Sequence, residues 1–317
     1  YTTDERTPTT SSTVYNGPIN ITSTTQLRAI SVGPNGKAST VVGESYVELS
    51  SSVANDTSDL PIVLVDTFGD GIPGAGSSFG DAFFAFIEPG EDGKTRLTDE
   101  FDVWTRGGIH VRGSSSSGFA KKQYRVELWD QQDEDQKYEI LGMPREADWI
   151  FYGPGQYDRS LLANPLMYDL SNQMGRYATR TRWVEMYLNR GGTVGSSDYV
   201  GVYAIMEVIE QGNDRVDVEP LTTGAGGVPV EGGFIWKNDR GSAYVDPDST
   251  TSAQRRYIDG WIRDLRSAAA RADFKDPERG YAAYADVDSF IDHNILNLFA
   301  MNVDALRLSS FYHKTAD

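Results

Sequence analysis

The chain has 317 residues, 39% of them hydrophobic, with 46 acidic against 29 basic side chains and a formal charge of −17. That balance repels nucleic-acid backbones and anionic lipid surfaces, which sets nucleic-acid partners aside, and no apolar run approaches the roughly 18 residues of a membrane span. The 32 Gly and 13 Pro suit a loop-rich globular protein with one large core or two smaller ones, and they argue against disorder. The opening Tyr1-Thr2-Thr3-Asp4-Glu5-Arg6 is not a signal peptide, so we expect the chain to begin inside a longer protein. Zero cysteines remove disulfides and thiolate zinc sites together and lean toward an exported protein.

Residues 1–57 are poor in Leu, and their short alternating runs, Gln26-Leu27-Arg28-Ala29-Ile30-Ser31-Val32 and Ser45-Tyr46-Val47-Glu48-Leu49, are separated by Gly-Pro and Asn-Gly turns. The pattern predicts part of a small β-sandwich. Tyr15 to Ile21, followed by Leu27 to Ser31 and ending at Tyr46, resembles the chitobiase/β-hexosaminidase C-terminal module, an immunoglobulin-like spacer of large secreted bacterial proteins that is usually not catalytic. The aperiodic polar run Ser50–Asp59 marks a boundary, with a second domain over 58–317.

In that domain Pro61–Val65, Ala82–Ile87, Gly108–Val111 and Gln123–Leu128 read as strands. Helical spacing begins after Asp158, a candidate N-cap, with the stripe Leu161, Leu162, Pro165, Leu166, Tyr168, Leu170 and Met174 running to Gly175 as C-cap. Strands return at Arg182–Leu188, Tyr199–Ile209 and Gly232–Trp236. Two further helices carry Tyr257, Ile258, Trp261, Ile262 and Leu265, then Val287, Phe290, Ile291, Ile295, Leu298 and Phe299. The class is therefore α+β, mainly sheet in its first half.

Two segments carry chemistry. Arg112-Gly113-Ser114-Ser115-Ser116-Ser117-Gly118 is a small-residue loop feeding Lys121 and Lys122, a way to surround phosphate oxygens with backbone N–H groups and an ammonium. Asn302-Val303-Asp304 stands where a helix gives way to a strand, which is how phosphotransferases present a base. Together they point to a nucleotide site.

The order of these parts resembles the spore coat protein H (CotH) family of secreted, atypical protein kinases. The similar segments are Arg112–Ser115 with Lys121–Arg125, Asp158–Asn164 with Met174-Gly175, Tyr187-Leu188-Asn189, Gly201-Val202-Tyr203 with Glu207, Gly232–Ile235, and Asn302-Val303-Asp304. The resemblance covers residues 60–317. It implies a two-lobed, protein-kinase-like fold, binding of ATP with Mg²⁺ or Mn²⁺, and phosphorylation of Ser or Thr on secreted or cell-surface proteins of bacteria. It further implies that Arg112, Gly113, Ser114, Ser115, Lys121, Lys122, Asp158, Asn164 and Glu207 serve the nucleotide, and that Asp304 is the base with Asn302 holding it. In this family a Trp-Asp-x-Asp-like segment follows the strand of Phe311-Tyr312 and supplies a metal ligand. The sequence stops at Asp317 before such a segment, so we expect either a truncated piece or a pseudokinase, and no metal ligand is assigned.

Each residue also has a plainer reading. Adjacent strand residues face opposite ways, so one of Lys121 and Lys122 faces the site while the other is solvated, or both are surface lysines. Asp304 is either the base, with Arg307 balancing charge nearby, or a helix-end residue bonded to its own backbone. Asp158 and Asn164 either help fix the lysine or only start a helix. Glu207 is either placed at a hinge that contacts adenine or is a strand-edge charge. Asp66-Thr67-Phe68-Gly69-Asp70-Gly71 lacks the rhythm of a calcium loop and reads as a turn. The competing function is a catalytically silent adhesion or scaffold module.

Overall fold

The computed structural model describes residues 1–155, 158–239 and 242–316. In chain order its elements are β1 (Thr25–Ala29), β2 (Val42–Tyr46), β3 (Ile62–Asp66), β4 (Gly80–Ile87), β5 (Val103–Arg112), β6 (Gln123–Trp129), β7 (Tyr138–Ile140), β8 (Met143–Glu146), β9 (Asp148–Tyr152), α1 (Ala163–Gln173), β10 (Thr181–Asn189), β11 (Tyr199–Glu207), β12 (Phe234–Asn238), β13 (Ser242–Asp246), α2 (Ser252–Ala270), α3 (Val287–Phe299) and β14 (Ser310–Lys314). The fold is mixed α+β and mostly sheet. The chain divides into two compact units, Tyr1–Pro165 with Arg180–Val208, and Leu166–Thr179 with Ile209–Asp317.

The first unit is built on a closed seven-stranded barrel in the order β10-β11-β9-β6-β5-β4-β3. Every neighbouring pair is antiparallel except β3 and β10, which run parallel and close the ring. Its two apolar clusters follow from strand alternation. Val63, Val65, Phe84 and Phe86 join one core with Val126, Trp149, Phe151, Val184 and Ile205. The intervening Ile62, Leu64, Phe83 and Ala85 join another with Val53, Leu97 and Tyr187. β3 and β4 thus read as unbroken apolar runs because both faces are covered.

Residues 1–57, expected as part of a sandwich, contribute one two-stranded antiparallel sheet, β1-β2. They are fastened to the barrel by charge as much as by packing. Arg28, fully buried, donates to the carbonyls of Glu5 at 2.8 Å and Gln131 at 2.6 Å, and pairs with Asp133 at 3.2 Å. Arg106 on β5, also buried, reaches the same Asp133 at 2.7 Å. The Asp66–Gly71 stretch is a turn, as expected: Asp70 N–H donates to the Thr67 carbonyl at 2.9 Å, and the buried Asp66 carboxylate accepts from Phe68 N–H at 2.7 Å and from Asn189 Nδ2 at 2.8 Å.

Helix α1 begins later than the apolar stripe suggested. Pro165 has no N–H and fits only the first turn of a helix, so the helix starts at Ala163 and leaves Leu161 and Leu162 outside, Leu161 with a φ of 64°. Asp158 nonetheless caps it, since its carboxylate accepts from Ala163 N–H at 2.9 Å. The far end closes as predicted on Gly175, whose φ of 78° is the left-handed conformation that glycine adopts freely. Gly175 N–H donates to the Asn172 carbonyl and Arg176 N–H to the Ser171 carbonyl, the paired bonds of a Schellman ending.

The second unit holds the three-stranded sheet β13-β12-β14. Phe234, Trp236, Ile258 and Ile262 form its core with Tyr257, Trp261 and Tyr312 packed against it. α2 starts on a capping box in which the Thr251 hydroxyl accepts from Gln254 N–H and the Gln254 side chain accepts from Thr251 N–H. Both predicted helices of this region form, and β13 arises in a stretch that reads as Gly- and Ser-rich. No described helix is long and apolar enough to cross a membrane.

Candidate functional site

In the first unit the loop after β5 folds into one 3-10 turn, Ser115–Gly118. The Ser114 carbonyl accepts from both the hydroxyl and the N–H of Ser117, at 2.7 and 3.3 Å, so the loop closes on itself. Gly113 has a φ of 108°, and a Cβ there would meet Ser116 Oγ at 2.2 Å, so the tight turn requires glycine. Arg112 donates to Gln123 Oε1 at 3.2 Å. Ser114 and Ser115 are exposed.

Lys121 and Lys122 lie just before β6 and diverge, as adjacent extended residues do. Lys122 Nζ turns back to the Ser117 carbonyl at 2.9 Å and so ties the turn to the barrel. Lys121 Nζ donates to the Val202 carbonyl of β11 and sits 4.6 Å from the ring centre of Tyr203. It makes no ion pair with a described carboxylate. Burial pulls its ammonium below the ordinary lysine value, because removing water penalises the charged form.

Asp158 does not reach this lysine. Its two oxygens accept from Ala163 N–H and from Ser160 Oγ, at 2.9 and 2.7 Å. Asn164 follows as the second residue of α1, half-buried. Glu207 ends β11, wholly buried, and its carboxylate takes Arg180 from three directions: N–H at 3.0 Å, Nε at 2.9 Å and Nη2 at 2.7 Å. Its backbone N–H donates to the Arg180 carbonyl at 3.3 Å. The Glu207 side chain therefore serves an ion pair whose acidic side is fully buried, so removing Arg180 alone would leave a buried charge unpaired.

In the second unit Asn302 and Asp304 stand on the loop between α3 and β14. Asn302 Nδ2 donates to Asn297 Oδ1 at 2.8 Å, which anchors the loop to the last turn of α3, and Asn302 Oδ1 accepts from Asp304 N–H at 3.1 Å. The Asp304 carboxylate, half exposed, pairs with Arg307 Nη2 at 2.7 Å. The Asp304 carbonyl accepts from Arg307 and Leu308 N–H. The amide two positions before the acid thus bonds its backbone N–H, while Arg307 pairs with its charge. The same unit contains a cavity of about 730 Å³ whose walls include Trp236, Trp261, Phe290, His293 and Tyr312.

One contributor escaped sequence reasoning. Tyr203 was visible within Gly201-Val202-Tyr203, as part of a strand and of a segment similar to the family, but with no role of its own; β11's alternation from the buried Ile205 marks it as inward-facing, and nothing in the sequence reports its approach to Lys121.

The first unit, a barrel, carries Lys121 and the second carries Asp304, in a chain of mixed α+β class. Residues 109–317 match the family model described as CotH kinase protein, about two thirds of the chain, and residues 1–46 match the Fn3-associated model. The chain belongs to the CotH kinase protein family. No curated protein matches it.

Proposed function

We propose that the protein transfers the terminal phosphoryl group of ATP to Ser or Thr hydroxyls of secreted or cell-surface bacterial proteins. The supporting observation is Lys121, a half-buried ammonium with no carboxylate partner among the described residues, in a domain of the CotH kinase family. Such a cation fits the anionic oxygens of a polyphosphate, and so does the compact turn beside it. We read the two units as the two lobes of a kinase-like fold, residues 58–317 as the enzymatic domain, and 1–57 as an immunoglobulin-like spacer of chitobiase type.

In this reading Lys121 neutralises phosphate oxygens, Lys122 and Arg112–Ser115 keep the turn in place, and Asp158, Asn164 and Glu207 support that side of the site through α1 and β11. Asp304, steadied by Asn302, accepts the proton of the attacking hydroxyl as the new O–P bond forms and the bond to the departing ADP oxygen breaks. Mg²⁺ or Mn²⁺ accompanies the nucleotide and supplies positive charge that a −17 chain lacks; no residue is assigned to hold it. Calorimetry with ATP tests this. Binding is expected with Mg²⁺ or Mn²⁺ and lost in excess EDTA, and equal affinity without metal would refute the metal-assisted form.

The Asp304–Arg307 ion pair favours a second reading, in which the acid is structural and the domain is a silent adhesion or scaffold module. Radiolabelled ATP and a Ser-rich acceptor protein separate the two. Label on the acceptor supports the enzyme, and none on any acceptor supports the scaffold.

A further inference from the structure

Kinase-like sites commonly fix their lysine with a carboxylate, and Asp158 was the sequence's candidate. The structure puts Asp158 on the start of α1 instead and, among the described residues, gives the ammonium no carboxylate partner. Tyr203, 1% exposed, offers the ammonium its ring face. Its hydroxyl donates to the Lys122 carbonyl at 3.0 Å, and its ring stacks on Tyr124 with centroids 6.3 Å apart. The ring therefore has little freedom to turn away.

Three glycines open the space around this pair. A Cβ on Gly153 would come within 2.6 Å of the Lys122 carbonyl and 2.9 Å of the Tyr203 ring. On Gly201, where the β10–β11 register shifts, it would stand 3.5 Å from Lys121 Nζ, and on Gly155, 4.0 Å from the Lys121 side chain. Glycines on two segments, the stretch after β9 and the start of β11, leave room for the lysine beside the ring.

We propose that Tyr203 is the positioning residue for Lys121, holding its ammonium by the ring face together with the Val202 carbonyl in place of a carboxylate. The proposal rests on the reading of Lys121 as the phosphate-binding residue. An aromatic face attracts a cation through its quadrupole without cancelling its charge, so the lysine keeps a full positive charge for an incoming anion. A carboxylate would spend most of that charge before the ligand arrives.

The test replaces Tyr203, in the full chain, by phenylalanine and by phenylalanines carrying one, two or three ring fluorines, which weaken the face while keeping its shape. Two quantities are read: Mg·ATP affinity by calorimetry, and the rate at which acetic anhydride labels Lys121, followed by mass spectrometry. Tyr203→Phe should stay within about twofold of the wild type on both, and the fluorinated series should lose affinity in steps, about tenfold over three fluorines. Lys121 labelling should rise along the same series, and the affinity series should be flat when Lys121→Ala is also present. Affinity and labelling that do not change with fluorination would overturn the proposal, as would a fluorine series that persists in the Lys121→Ala background. If the wild type binds no nucleotide, the reading of Lys121 as a phosphate ligand falls, while the labelling series still decides whether Tyr203 holds it.

Discussion

The strands β3 and β4 and the helix α3 carry similar amounts of apolar side chain and treat it in opposite ways. Ile62 to Val65 and Ala82 to Ile87 are at most 3% exposed, whereas α3 buries none of its residues, with Ile291 at 49%, Leu298 at 70% and Phe299 at 69%. Strand alternation offers two faces and the barrel covers both, one with the interior cluster and one with Val53, Leu97 and Tyr187. A helix offers one stripe, and in the second unit Tyr312 of the sheet meets it at Phe290, stacked at 5.7 Å, and at His293, tilted at 6.0 Å. The lysine side of the proposed chemistry thus stands on a rigid support, and the acid side on a lightly packed one.

The largest test of this contrast is paired truncation. Phe84→Ala, which removes a fully buried ring packed edge-on against Phe151, should cost about 3–5 kcal/mol in denaturant unfolding. Leu298→Ala should change stability by no more than about 0.5 kcal/mol. Equal costs would mean that α3 is as well packed as the barrel.

Next comes chemistry without packing. Asp304→Asn should lower phosphate transfer by about 10² or more and leave ATP affinity nearly unchanged. A structural role would instead appear as about 1 kcal/mol of lost stability with activity retained. On the rigid side, Lys121→Ala should weaken Mg·ATP binding by about tenfold and Lys122→Ala by about twofold, since Lys122 Nζ turns back to the Ser117 carbonyl whereas Lys121 Nζ lies over the Tyr203 ring. The reverse ranking would exchange the roles of the two lysines.

The last comparison concerns the charged seam between the N-terminal segment and the barrel. Burial, with Asp81 and Asp70 adding repulsion, pushes the Glu5 carboxyl from 4.5 up to about 8. An acid whose folded value is raised binds its proton more tightly in the folded state, so its contribution to stability is full below pH 4.5 and is lost as pH rises through 8. Melting temperature should therefore fall between those limits, and Glu5→Gln should flatten the fall by a few degrees. Identical slopes would show that Glu5 ionises freely.

Much of this was legible in the sequence. Continuous apolar runs gave β3 and β4, 3.6-residue spacing gave α2 and α3, and Gly175 ended α1 because a left-handed residue was needed there. The start of α1 was misread because the stripe counted Leu161 and Leu162 while Pro165 governed the first turn. Barrel closure was hidden because the pairing of β3 with β10 joins segments with no local signal of each other. The candidate residues were found by order and spacing, but their partners were not. Glu207 takes Arg180 and Asp158 takes its own helix, contacts that depend on where the strand ends converge.

That closing pair also sets a schedule. Ile62–Asp66 find their partners only at Glu185–Asn189, and the buried bond from Asn189 to Asp66 spans 123 positions. On a ribosome adding roughly 5–20 residues per second, β3 waits on the order of 10 s with one edge unpaired. Non-local strand pairing of this kind is slow in any case, because the loop entropy is lost before the contact forms. The barrel that gives the native state its rigidity therefore makes the nascent chain open to misassociation through that apolar edge until residue 189 has emerged.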